Sequence, residues 1–173
     1  MADLVQVIRS GLRLAVPLKS VVGFPKVAIL SDVKAYNAGG GTFTSGAWRT
    51  RDLNTETDAD AIVSLSSNRF TPASGTYLVI WSCPAYAVEY HVSRLYNYTQ
   101  SSVSAVGSSE YEVSTSAVSN RSFGSALITA NGTDAYQLEH YCSTTKATNG
   151  FGVNSNLSGT DSVYTIINLI KVS

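Results

Sequence analysis

Two histidines, two cysteines and one short acidic run are the side chains through which this 173-residue chain could do chemistry. His91 lies two positions from Glu89, so a strand there would put a carboxylate and an imidazole on one face, as a general base and its orienting acid require. Such a surface pair is more often structural, and no nucleophile motif accompanies it. The chain contains neither a G-x-S-x-G elbow nor a G-x-x-x-x-G-K-[ST] phosphate loop. The run Gly39-Gly40-Gly41 lacks the lysine such a loop needs and reads as a flexible hairpin tip. His91 and His140 stand about fifty positions apart without Cys-x-x-Cys or His-x-His spacing, which argues against zinc. Asp52, Glu56, Asp58 and Asp60 could gather a hard cation. Without the glycine and spacing of an EF-hand they read as a solvated polar loop. Spacing alone leaves glycosidase-type carboxylate pairs open, and nothing favours them. The expectation is no catalytic residue, no metal and no cofactor.

Cys83 and Cys142 bear on compartment as well as chemistry. Two cysteines in a chain without an export signal are expected to be buried and reduced. A secretory core needs about 7–15 uninterrupted apolar residues. Arg9, Arg13 and Lys19 interrupt the N-terminal segment, and Asp3 occupies the place of a positive leader. No run approaches the ~20 apolar residues of a membrane span. The Asn-x-Ser/Thr triplets at Asn97, Asn120, Asn131 and Asn156 are therefore read as chance matches.

The elements that would position these groups are strands. The chain is 44% hydrophobic and only 14% charged, with 12 Lys+Arg against 12 Asp+Glu and a mean hydropathy of +0.06. Zero net charge argues against nucleic acid, whose phosphates require a basic footprint. It also removes the usual solubility device of a small free monomer. Twenty-five Ser, 16 Thr and 10 Tyr favour strands and turns. Expected strands are 26–36, 47–53, 61–66, 75–83, 88–98, 110–113, 121–129, 134–143 and 162–172, with loops at 37–46, 54–60, 99–109 and 144–160. Helix is confined to a possible turn near Asp3–Arg9, with Asp3 as its cap. Eight or nine strands in one domain indicate a double-sheet sandwich, most commonly a jelly roll.

Strand phase says more. Around position 90 one face carries Val88, Tyr90, Val92, Arg94, Tyr96 and Tyr98, and the other Glu89, His91, Ser93, Leu95 and Asn97. Only one of them can line an apolar core. Tyr77-Leu78-Val79-Ile80-Trp81 is apolar on both faces, as is the stretch Val163 to Val172. A sandwich covers one face of each strand, so the other must meet something else. Another copy of the chain is the leading candidate; the Lys26 region or a loop folding over is the alternative.

The segment Arg69-Phe70-Thr71-Pro72-Ala73-Ser74-Gly75-Thr76-Tyr77 resembles the F-x-x-P-x-x-G-x-Y motif of C1q and tumour-necrosis-factor-like jelly rolls, with one position fewer between Phe and Pro. Pro72 and Gly75 would set the turn into a central strand and Tyr77 would fill the core. His91–Asn97, Gly107–Tyr111, Arg121–Ala126 and Ala147–Gly152 resemble a C1q-like module of tailed-bacteriophage virion proteins. The resemblance spans about residues 60–172. It implies an all-β C1q/TNF-like jelly-roll sandwich of about 8–10 strands, packed as a homotrimer. No collagen-like repeat accompanies it, so complement activity is not implied.

The expected organisation is an N-terminal anchoring arm, residues 1–24, followed by the jelly roll, residues 25–173. Leu4, Val5, Ile8, Arg9, Leu12, Arg13, Leu14 and Lys19 make the arm apolar and basic, suited to docking on a larger surface. Residues expected at the trimer interface or core are Tyr77, Val79, Trp81, Tyr90, Arg94, Tyr96, Tyr164 and Ile166. The expected function is that of a non-enzymatic virion structural protein, a capsid decoration or cement protein whose partners are itself and the major capsid protein. The alternative is a receptor-binding tail-fibre tip recognising host surface glycan. Neither reading involves nucleic acid or a membrane.

Overall fold

The computed structural model describes residues 25–173 in full, and residues 4–9 and 12–17 by their backbone. The latter two segments are strands β1 (Leu4–Arg9) and β2 (Leu12–Pro17), paired antiparallel. The helical turn expected near Asp3–Arg9 is therefore corrected to a strand, as the β-branched Val5, Val7 and Ile8 favour. Asp3, Lys19 and the side chains of Leu4, Val5, Ile8, Arg9, Leu12, Arg13 and Leu14 lie outside the described residues.

The remaining strands are β3 (Lys26–Lys34), β4 (Arg49–Thr50), β5 (Thr55–Thr57), β6 (Val63–Ser66), β7 (Arg69–Pro72), β8 (Gly75–Tyr86), β9 (His91–Asn97), β10 (Ser102–Glu110), β11 (Ser119–Ala130), β12 (Tyr136–Cys142) and β13 (Ser162–Lys171). They form a five-stranded sheet in the order β11-β8-β13-β3-β5 and a six-stranded sheet in the order β10-β9-β12-β7-β6, with β4 added on β12. All pairings are antiparallel. The two sheets make a sandwich, as the strand count required, and no helix occurs among the described residues.

Three expectations change. Residues 102–109, expected as loop, belong to β10, while 111–113 lie beyond its end. Two breaks of register in β10 hide its alternation, since each bulge inverts the inward and outward phase. The 47–53 segment shrinks to the two residues of β4. Gly39-Gly40-Gly41 is packed rather than flexible: Gly40 donates its N–H to Gly152 O at 2.9 Å, and a Cβ there would fall 2.7 Å from the Phe151 backbone. Only glycine allows two main chains to approach so closely.

Alternation places Tyr77, Val79 and Trp81 of β8 inward, against Leu30 of β3, Phe70 of β7, Leu95 of β9, Leu138 of β12 and Leu169 of β13. All are essentially sealed from water. Fully burying one such side chain contributes roughly 1.5–3 kcal/mol, so this cluster carries the sandwich. A smaller cluster, Phe43, Ala85, Val88 and Cys142 with Phe151, closes one end. In β13 a bulge between Val163 and Ile166 turns two consecutive residues, Tyr164 and Thr165, into the interior.

Candidate functional site

The sheets differ in what they show on their outer faces. On the five-stranded sheet the register aligns Leu127, Leu78, Ile170 and Val27 in one row across β11, β8, β13 and β3. The next row is Ser125, Ile80, Asn168, Ile29 and Thr57, and the third Phe123, Ser82, Ile166, Ser31 and Thr55. No charged residue occurs in these rows. Leu127 is 70% exposed, Phe123 56%, Val27 41% and Ile80 38%. Neighbouring rows of aliphatic and aromatic side chains reinforce one another across strands, and a contiguous exposed patch of them marks an interaction surface.

The expected alternative, that the Lys26 region folds over this face, is corrected. Residues 26–34 lie within the same sheet as β3 and extend the patch with Val27 and Ile29. Beside the patch, Arg121 Nη1 donates to Ser82 Oγ at 2.8 Å and to Tyr164 O at 3.0 Å, so its donors turn back into the chain.

The outer face of the six-stranded sheet carries a hydrogen-bonded polar network, with Val103 and Val106 of β10 exposed beside it. Arg69 stacks 3.4 Å over the Tyr98 ring and donates through Nε to Gln137 Oε1 at 3.0 Å. Gln137 Nε2 donates to Glu139 Oε1 at 2.7 Å, and Arg94 Nε to Glu139 Oε2 at 2.7 Å. The Arg94 guanidinium also lies 3.9 Å over Trp48 and 4.9 Å over Tyr96. Cationic planes stacked on rings cover apolar area while keeping their donors occupied.

Of the interface-or-core residues expected from sequence, Tyr77, Val79, Trp81 and Tyr164 are core. Ile166 lies on the apolar outer face. Arg94 and Tyr96 lie on the opposite sheet, and Tyr90 just before β9. Leu78, Ile80, Leu127, Phe123, Val27, Ile29 and Ile170 were not among the expected residues. Their signal was present in the two-faced apolar runs, but a strand apolar on both sides does not say which side points in.

The groups singled out for chemistry are engaged elsewhere. Glu89 accepts from Ser114 and Thr144 hydroxyls at 2.9 and 2.7 Å, and those bonds lower its pKa. It does not pair with His91. His91 Nδ1 instead meets His140 Nε2 at 2.9 Å, and its Nε2 meets Asn120 Oδ1 at 2.6 Å. The inward face of β9 is thus the polar one, and its groups find partners: Trp81 Nε1 donates to Ser93 Oγ at 2.8 Å, and Ser93 Oγ meets Ser122 Oγ at 2.7 Å. Sealed Arg51 donates to Thr165 Oγ1 at 2.7 Å, Pro84 O at 3.2 Å and Phe151 O at 3.0 Å.

The acidic run disperses. Asp52 pairs with Lys34 at 2.8 Å, Asp60 with Lys26 at 3.8 Å, and Asp58 accepts from the Asp60 and Val63 amides. Burial opposes the Lys34 ammonium, but Asp32 and Asp52 outweigh it and raise its pKa. No group of three metal-ligating side chains converges among the described residues. Cys83 and Cys142 are free and buried.

This topology is that of the C1q/TNF-like jelly roll. The globular domain of zebrafish complement 1qA superposes with a TM-score of 0.54 at 13% identity, covering 87% of this chain and 98% of that one. Murine APRIL at pH 5.0 gives 0.54 at 8% identity, covering 86% and 100%. Eiger TNF from S. frugiperda gives 0.52 at 12%, covering 86% and 93%. At such identities the likeness defines the fold alone. No protein-family model and no curated protein sequence matches the chain.

Proposed function

We propose that this protein is a non-enzymatic structural protein that assembles as a homotrimer through the outer face of its five-stranded sheet. The observation that carries the reading is the three charge-free rows from Leu127 to Val27 and from Phe123 to Thr55. Burying apolar surface stabilises association by roughly 25 cal/mol per Å², and a chain with 14% charged residues has little else to keep that face in water. In an assembly the uncharged face is hidden and the hydrogen-bonded face of the other sheet remains outside.

Its place, in this reading, is the capsid surface of a tailed bacteriophage, as a decoration or cement protein made in the host cytoplasm. Residues 1–24 form the anchor and the major capsid protein is the second partner. Support comes from the sequence resemblance to phage C1q-like modules and from the apolar, basic composition of the arm. Deleting residues 2–24 should leave a trimer that no longer binds capsids; binding that survives the deletion refutes the anchor.

The exposed Tyr90, Tyr98 and Tyr111 favour a second reading, a receptor-binding tail-fibre tip that recognises host surface glycan. Incubating host cells with the purified protein separates the two. Blocked phage adsorption supports the fibre tip, and unaffected adsorption with decorated heads supports the capsid protein.

A further inference from the structure

Strands β1 and β2 form a two-stranded sheet of their own, and among the described residues no third strand joins them. A lone hairpin is marginally stable in water and gains most from a further strand on an open edge. Its two edges differ. Arg9 and Leu12 are register partners with two residues between them, and the pairing runs unbroken from there to Leu4 and Pro17. In a hairpin so tight the closing pair exchanges both its main-chain hydrogen bonds, and such pairs alternate with pairs whose N–H and C=O groups point outward. Val7 with Leu14 and Val5 with Val16 therefore bond across the hairpin. The outward main-chain groups belong to Leu4, Gln6 and Ile8 on β1 and to Arg13, Ala15 and Pro17 on β2. The β2 edge is blunted, since Pro17 has no N–H and Arg13 adds charge. The β1 edge is intact: Leu4 to Ile8 contains no proline, glycine or charge, and no bulge interrupts it.

We propose that the β1 edge is the binding element of the anchor, adding as a strand to an exposed sheet edge of the capsid protein. The proposal rests on the reading of residues 1–24 as the anchor and names the contact that reading leaves open. Main-chain complementarity selects this occupant. A row of outward donors and acceptors at strand spacing is matched by another row of the same kind, and strand addition draws its affinity from those bonds. The sheets of this chain's own body are poor receivers. Strands β5 and β6 are three and four residues long, β10 is broken by two bulges, and β11 borders the face assigned to the trimer.

The test compares full-length variants for co-sedimentation with bare capsids. Gln6→Pro removes an outward N–H from β1 and Ala15→Pro removes one from β2; neither takes a bond from across the hairpin, and both impose the same backbone constraint. Gln6→Pro should bind about tenfold or more weakly, while Ala15→Pro and Gln6→Ala stay within about twofold of the unaltered chain. Amide exchange of the bound protein should slow at Leu4, Gln6 and Ile8 and not at Arg13 and Ala15. Equal loss from the two proline variants, no loss from Gln6→Pro, loss from Gln6→Ala, or equal protection of both edges would each overturn the β1 edge as the binding element. Where deletion of residues 2–24 still abolishes binding, those outcomes leave the anchor standing; binding that survives the deletion overturns both.

Discussion

His91 Nδ1 and His140 Nε2 lie 2.9 Å apart inside the sandwich, and the hydrogen bonds around them leave one protonation pattern. Asn120 spends its Nδ2–H on Tyr111 O at 3.2 Å, so its Oδ1 accepts from His91 Nε2–H. His91 Nδ1 is then an acceptor, and His140 donates to it through Nε2–H. His140 Nδ1 is left bare, sealed and without a partner. A proton on either ring would bring a buried charge, and on His91 also two facing N–H groups.

Acid should therefore destabilise the protein. Burial, reinforced by Arg51 and by the neighbouring ring, holds His140 well below its ordinary 6.5; burial also lowers His91, outweighing Asn120 and Glu110. Above about pH 6.5 both rings are neutral folded and unfolded, and no penalty arises. Below it the unfolded chain takes up protons that the folded chain refuses, so stability falls as pH falls toward the folded-state values. Melting curves from pH 7.5 to 5 should show this decline. His140→Gln, which keeps a donor toward His91, should flatten it; an unchanged slope would remove the pair from the account.

Gly124 faces the Trp81 indole so closely that an added Cβ would sit 2.0 Å from its Cζ2. Trp81 cannot retreat without losing its bond to Ser93. Gly124→Ala should cost about 1–3 kcal/mol in urea unfolding, as overpacking of a tight core does. Combined with Trp81→Phe, it should cost less than the two changes added together.

Leu127→Glu and Ile80→Lys place charges in the apolar rows without touching the core. Sedimentation equilibrium should report three times the 18.4 kDa chain for the unaltered protein and one chain for either variant. Tyr98→Ala, on the opposite sheet, should leave the mass unchanged.

The thiols should be inert. Burial pushes Cys83 up to about 11 and Cys142 up to about 12, and the thiolate is the reactive form. An aromatic disulfide reagent at pH 8 should find no thiol in the folded protein and two in denaturant. A fast-reacting thiol in the native state would contradict this packing.

Much of the fold was legible because its signals are local. The Pro72–Gly75 turn, the β-branched and aromatic runs and the absence of a 3.6-residue period all act within a few residues. The segment 102–109 was not legible, because its two bulges invert the alternation that announces a strand. Tyr77, Val79 and Trp81 were recognised as interface or core, and the structure makes them core. Their neighbours Leu78 and Ile80, in the opposite phase, carry the exposed patch.

By itself the sequence determined the class: a charge-poor, all-β sandwich with two buried thiols and more apolar strand face than one core can absorb. Composition and period suffice for that, since they are sums over neighbours. Only the tertiary structure decided which face is which. Register, set jointly by turns, bulges and the partner sheet, aligned Leu127 with Leu78, Ile170 and Val27 on the outside and turned His91 and Ser93 inward to His140 and Ser122. A strand apolar or polar on both sides has no phase of its own; the neighbour opposite supplies it.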